Sequence, residues 1–274
     1  MMKSKSAMIL LGGLLFSTAI PVLAGADTSS LDKLPQHGRT DGIIKFIPND
    51  KPKDPVDPTD PNKPVDPQEN PENGSTGNDG TLTLDVVPKV FNFGENYLTG
   101  AKTEYPAIPQ TTTKQKIHYV QINENRSESN GWTLSVAMSN FKDASNVDAI
   151  PGASIKFPQG EVRNIYYKGL ESGQIPDPSN NILDILTDDP DSVFTQKPIE
   201  VVSGGSAVNF LYTNSNLEEI DTAHRGAYGL GRGVTTGSWN ISDLKLVIPA
   251  AGNSAHGQFE SRLTWTLIAG GVIS

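Results

Sequence analysis

The chain has no cysteine among its 274 residues. Disulfide staples are therefore excluded, and whatever folds must be held by its own packed core. Positive charge is scarce as well: Lys+Arg number 22 against 31 Asp+Glu, for a net charge of -9. A chain without a basic face has nothing with which to release counterions from a phosphate backbone, so nucleic acid is not an expected partner. Long apolar runs are the third absence. The longest, Ala7 to Ile20, falls short of the ~20 residues a spanning helix needs, and the apolar end "LIAGGVIS" has no basic stop-transfer tail. No stable membrane anchor is expected, and no LPxTG-like sorting signal is present.

The parts of an enzyme are missing too. There is no H-E-x-x-H, no P-loop and no nucleophile elbow; "GNSAHG" at 252–257 breaks the G-x-S-x-G pattern at its last position and reads as loop polarity. The histidines His37, His118, His224 and His256 show no metal spacing. Carboxylate pairs such as Asp188 and Asp189, or Glu218 and Glu219, would serve a glycosidase only at a defined separation across a sugar cleft. "DDPD" at 188–191 lacks EF-hand spacing and reads as a solvated turn; "GLGRG" at 229–233 follows no strand-to-helix switch and reads as a flexible loop. No cofactor and no metal are expected, and the chain is read as a non-enzyme.

What is present begins with Lys3 and Lys5, the Ala7–Ile20 run, and Ala24 and Ala26 at A-x-A spacing. That order matches a secretory signal peptide, expected over residues 1–26. A short segment, 27–49, follows; its "TDGIIKFIP" offers one strand, with Ile43, Ile44 and Phe46 as candidates for pairing with a sheet edge, either of its own domain or of a partner. Over 50–80 the chain is rich in Asp-Pro, at 54-55, 57-58, 60-61 and 66-67. Proline fixes φ and removes amide donors, so this stretch is expected to be a polyproline-like linker that buries no core.

From 81 to 274 the composition is that of a packed domain, and its signals have period two. Leu82, Leu84 and Val86 alternate; so do Trp132, Leu134, Val136 and Met138, and Leu244, Leu246 and Ile248. Further candidate strands are 90–93, 117–122, 154–157, 199–202 and 207–212, while "NNILDILTDD" fits a short helix or a strand. No stretch carries a capped helical period. The fold class read from this is all-β, a single Greek-key-like β-sandwich.

Two of the three tryptophans sit in the same tripeptide, Trp132-Thr133-Leu134 and Trp265-Thr266-Leu267. On a strand, Trp and Leu of each motif share one face and the Thr points to the other. Trp132, Leu134, Trp265 and Leu267 are accordingly either core residues or an aromatic platform on which the apolar faces of sugar rings stack. The paired motifs, the second within "FESRLTWTL" and the first preceded by "YVQINENRSESN", together with "FNFG" at 91–94, the Asp-Pro stretch and "TDGIIKF", resemble the WxL domain of Gram-positive surface proteins. The resemblance implies an extracellular protein held non-covalently at the cell wall, with peptidoglycan or another wall glycan as ligand. It also implies companion wall-associated surface proteins or host components as partners. Two positions depart from the family pattern: Phe259 stands where Tyr is usual, and Gly271 where Pro is usual.

Overall fold

The computed structural model describes residues 42–45, 47, 50–66, 68–127, 129–165, 194–213, 231–252 and 256–271. The signal segment 1–26, Phe46, the carboxylates at 188–189 and 218–219 and the "NNILDILTDD" stretch lie outside them. Among the described residues there are strands, one 3-10 turn at Ile241–Asp243 and no α-helix.

In chain order the strands are β1 (Val56–Asp57), β2 (Asp60–Pro64), β3 (Asn73–Ser75), β4 (Leu82–Pro88), β5 (Thr103–Pro106), β6 (Ile117–Glu124), β7 (Trp132–Met138), β8 (Phe141–Lys142) and β9 (Asp148–Ala149). They continue as β10 (Ser154–Phe157), β11 (Glu161–Asn164), β12 (Phe194–Gln196), β13 (Ile199–Val202), β14 (Val208–Thr213), β15 (Gly233–Asn240), β16 (Lys245–Ile248) and β17 (Leu263–Ala269). Where a single sandwich was expected, three larger sheets form, ordered β11-β15-β6-β4-β3, β13-β10-β16-β5 and β12-β14-β7-β17, with β1-β2 and β8-β9 as separate pairs. All the strand pairings within these sheets are antiparallel.

One aromatic cluster joins the three sheets. Phe157 of β10 meets Phe210 of β14 at 5.3 Å and Trp239 of β15 at 5.6 Å between ring centroids, and Phe210 meets Trp239 at 5.3 Å. All three contacts are edge-on, the arrangement that ring quadrupoles favour. Each sheet supplies at least one of these rings, so the core is common to all of them.

The Asp-Pro stretch is not a spacer. It folds into the β1-β2 hairpin, in which Val56, Pro58 and Pro61 are buried. Aspartate is the reason: in Asp57-Pro58-Thr59 and Asp60-Pro61-Asn62 the carboxylate accepts the amide two residues on, at 2.8 and 3.3 Å, closing an Asx turn around each proline. The hairpin lies on the five-stranded sheet. On β6, Val120 and Ile122 belong to the aromatic core, while the intervening Gln121 points the other way. Its Oε1 accepts the Val56 amide at 2.8 Å and its Nε2 donates to the Asp54 carbonyl at 3.1 Å and to Asp85 at 3.2 Å. Thr236 of β15 donates to the Pro58 carbonyl at 3.1 Å. Proline lacks a donor but keeps its acceptor, and this polar sheet face supplies the matching donors. Farther on, Asn70, Glu72 and Asn73 are buried, and Asn73 accepts the Tyr119 amide at 3.1 Å. The described residues of 54–75 are thus a strap over the sheet and part of the domain.

In the segment expected to supply a strand for a partner, Ile43 and Ile44 are 96% and 74% exposed and belong to no strand.

An aromatic groove beside the distal motif

The two W-x-L tripeptides are neighbours. β17 pairs with β7, bringing Leu267 opposite Leu134, Trp265 opposite Val136 and Ala269 opposite Trp132. Their environments differ. Trp132 is 0% exposed; its indole Nε1 donates to the Gly231 carbonyl at 3.1 Å and its ring lies 5.8 Å from that of Phe194. Leu134 is equally buried. These two side chains therefore do not form a platform: β7 is an interior strand, and β14 and β17 flank it on both sides. β17 is the last strand of its sheet, and Trp265 and Leu267 are only half-buried. The Trp265 ring rests edge-on against Phe210 at 5.1 Å and Phe157 at 6.0 Å.

Local polar contacts set the strand ends. Arg126 grips Glu124 through Nε at 2.9 Å to each carboxylate oxygen and through Nη2, and Ser129 also donates to Glu124 at 2.9 Å. Glu124 is 0% exposed, and a buried carboxylate needs such a set of donors. Arg126 Nη2 reaches on to the Gly131 carbonyl at 2.7 Å, which also accepts the Gly270 amide at 2.8 Å. One carbonyl therefore ties the approach to β7 to the end of β17. Gly231, within the stretch read as a flexible loop, packs on the indole: at φ +71°, a Cβ there would come within 2.5 Å of Thr213 and 2.8 Å of Trp132 Nε1.

The exposed part of Trp265 looks into a groove of about 1410 Å³. Phe91, Phe93, Tyr97, Tyr105, Phe141 and Phe259 line it with Trp265. Its charged lining residues include both signs, Lys89 and Arg262 against Glu95 and Glu260. One wall is the excursion from Lys89 to Gln110. Both ends of that excursion are fastened to Glu72 of the strap, whose carbonyl accepts the Lys89 amide at 2.7 Å and whose Oε1 accepts the Gln110 amide at 2.5 Å. Ile108 closes the wall on itself, its amide donating to the Asn92 carbonyl at 2.7 Å. Among the described residues no cluster of three or more His, Cys, Asp or Glu side chains is arranged to hold a metal ion.

An aromatic groove flanked by paired W-x-L strands is matched by a family-level likeness: residues 33–270 match the family described as "WxL domain surface cell wall-binding". The chain belongs to the WxL family. No curated protein and no solved structure matches it. The matched residues begin ahead of the Asp-Pro hairpin, in keeping with the strap's place in the fold. As a WxL protein it works outside the cell, at the cell surface, and attaches to the cell wall; the family is a binding family rather than an enzymatic one.

Within this WxL domain two of the four motif residues, Trp132 and Leu134, are buried, Trp265 borders the groove, and Leu267 is half-buried against the core. The groove aromatics that sequence reasoning did not single out are Tyr97, Tyr105 and Phe141, which sit in a stretch without strand and on the short β5 and β8 with no long alternation around them. Phe91 and Phe93 stood out in "FNFG", although that stretch is not a strand. Three buried ionisable groups have displaced pKa values, the Tyr119 phenol being raised by burial. Burial pushes the Asp85 carboxyl up to about 6, and burial likewise pushes the His118 imidazole down to about 4.

Proposed function

We propose that the groove beside β17 is the surface with which this WxL domain grips the wall, and that the ligand is the glycan of peptidoglycan. The carrying observation is the half-buried indole of Trp265 at a groove lined by six further aromatic residues. Sugar rings present flat apolar C–H faces, and aromatic rings held edge-on by a packed core form a surface ready to stack on them. The balance of charge favours the same ligand. The chain carries a net charge of -9 and the groove brings both signs, so anionic wall polymers would find no basic field to draw them in. Phe259 offers a ring without a hydroxyl, so at this position the groove can stack on a sugar face, while hydrogen bonds to it fall to neighbours such as Gln258, Glu260 and Arg262.

Co-sedimentation of the full chain with purified Gram-positive peptidoglycan tests this. Wild type should pellet with the wall and Trp265→Ala, shown to be folded, should remain in solution. Equal retention of the two proteins rejects the groove as the site, and no retention of either rejects the ligand.

A second reading concerns partners. Ile43, Ile44 and Ile47 are 96%, 74% and 75% exposed, an apolar stretch suited to pairing with a companion surface protein. Phe46, the third residue of the expected partner strand, lies outside the described residues. Deletion of residues 27–49 should abolish co-purification with such a companion and spare wall retention; loss of both, or of neither, argues against it.

A further inference from the structure

Behind the groove wall the core holds an acid and a base that sugar stacking does not use. His118 is 1% exposed and Glu72 2%, with Nε2 and Oε2 3.6 Å apart, beyond hydrogen-bond reach. Neither imidazole nitrogen, nor Glu72 Oε2, nor the Trp239 indole nitrogen finds a hydrogen-bond partner among the described residues. Buried polar atoms are almost always satisfied, so four together mark an arrangement kept below its best geometry.

Both residues bear on the groove. Glu72 fastens the two ends of the 89–110 wall through its carbonyl and Oε1. His118 stands 4.9 Å from the ring of Phe91, which lines the groove. We propose that Glu72 and His118 are an acid-responsive positioning pair, through which protonation of His118 displaces the groove wall and loosens the domain's grip on its ligand.

An imidazolium formed here would sit among Phe91 and Trp239, with Phe157 beyond them. The burial that already lowers the pKa of His118 is the measure of how unwelcome that charge is. The charged groups around it are few. From the strap come Glu72 and the half-buried Glu69, which pairs with Lys114 at 3.2 Å; from the groove wall comes the exposed Lys89, whose Nζ donates to the Pro71 carbonyl at 3.1 Å. Lys114 and Lys116, preceding β6, are exposed, and Trp239 of β15 and Phe157 of β10 bring no charge. Glu72 is thus the buried carboxyl available to the imidazolium. It must either close the gap, drawing the Gln110 amide with it, or yield as Phe91 swings aside and water enters. Either movement shifts the wall that Glu72 fastens.

The inference rests on the groove as the wall-binding surface, so its test carries a readout that needs no ligand. The full chain, as wild type, His118→Gln and His118→Phe, is taken from pH 7.5 to pH 4.5. Retention on peptidoglycan and tryptophan emission are both followed, since Trp239 lies 6.1 Å from His118 between ring centroids. Wild type should lose retention roughly tenfold or more, because the open wall binds the proton more tightly than the closed one. Its emission should change over the same interval, and both variants should flatten both profiles. Variants that keep the wild-type pH profile, or wild-type emission that is constant to pH 4.5, overturn the pair. An emission change in wild type, absent from the variants, with no retention at any pH would sink the groove reading and leave the pair standing.

Discussion

Leu134 and Leu267, the closing residues of the two W-x-L tripeptides, stand directly opposite each other on adjacent antiparallel strands, 133 positions apart in the chain. The pairing explains why the tripeptide occurs twice. The same alternation serves an interior strand, β7, and the last strand of the same sheet, β17, so one copy is sealed in the core and the other borders the groove.

Substitution of the two tryptophans should therefore have unlike consequences. Trp132→Ala removes a fully buried indole and its hydrogen bond, and should cost about 3–5 kcal/mol, enough to unfold a marginal domain. Trp265→Ala should cost about half as much or less, since the side chain is only half-buried, and should leave a cooperative melt. Thermal denaturation of the two variants checks the order; a larger loss for Trp265→Ala contradicts it.

Gly231 should tolerate no side chain. Its φ of +71° and the 2.8 Å approach to Trp132 Nε1 mean that Gly231→Ala adds backbone strain to a steric clash. A loss of about 2–4 kcal/mol is expected, measured by urea denaturation, whereas Gly100→Ala, at φ +67° with nothing within 4 Å, should lose only the backbone share, about 1 kcal/mol.

Removing the strap should damage the domain rather than shorten a tether. Gln121→Ala leaves the Val56 amide without its acceptor in a buried layer and takes one donor from Asp85, and about 2–3 kcal/mol of stability should be lost. Deletion of residues 50–72 should also unfasten the groove wall from Glu72. Limited proteolysis of the truncated chain should cut within 89–110; wild-type resistance there would show that the strap is dispensable.

Asp85 and His118 should shape the pH dependence of stability with opposite signs. The Asp85 pKa is raised in the folded state, so its contribution is fully present below about pH 4 and is lost as pH rises through about 6. The His118 pKa is lowered, so its contribution is present above about pH 6.5 and is lost as pH falls toward about 4. Asp85→Asn should raise the melting temperature at pH 7.5 and change it little at pH 4. An increase confined to acid would reverse the sign and contradict the assignment.

Much of the sheet structure could be read directly from residue alternation. The stretches 132–138, 154–157 and 199–202 become β7, β10 and β13 with the same limits, because those strands pair apolar residues with a core. β15 was missed for a physical reason. Both its faces are covered, Trp239 by the aromatic core and Thr236 by the strap, so no alternation survives in Gly233–Asn240. Its Gly237 marks a close approach: a Cβ there would meet Leu211 at 2.9 Å. The strap was misread because Asp-Pro composition records the missing donors but not the carbonyls, which Gln121 and Thr236 engage across 67 and 178 positions of chain. The candidate site was half legible: the motif strands could be found, but whether an indole faces core or groove depends on which strand ends the sheet.

The most direct measurement is quenching of tryptophan fluorescence by acrylamide, with and without soluble peptidoglycan fragments. Trp132 and Trp239 are 0% and 5% exposed, so the accessible emission should belong to Trp265, vanish in Trp265→Phe, and become protected when fragments are added to wild type. Quenching of Trp265 that the fragments leave unchanged, at concentrations where the wild-type chain sediments with wall, would contradict the groove as the place where this WxL domain holds its ligand.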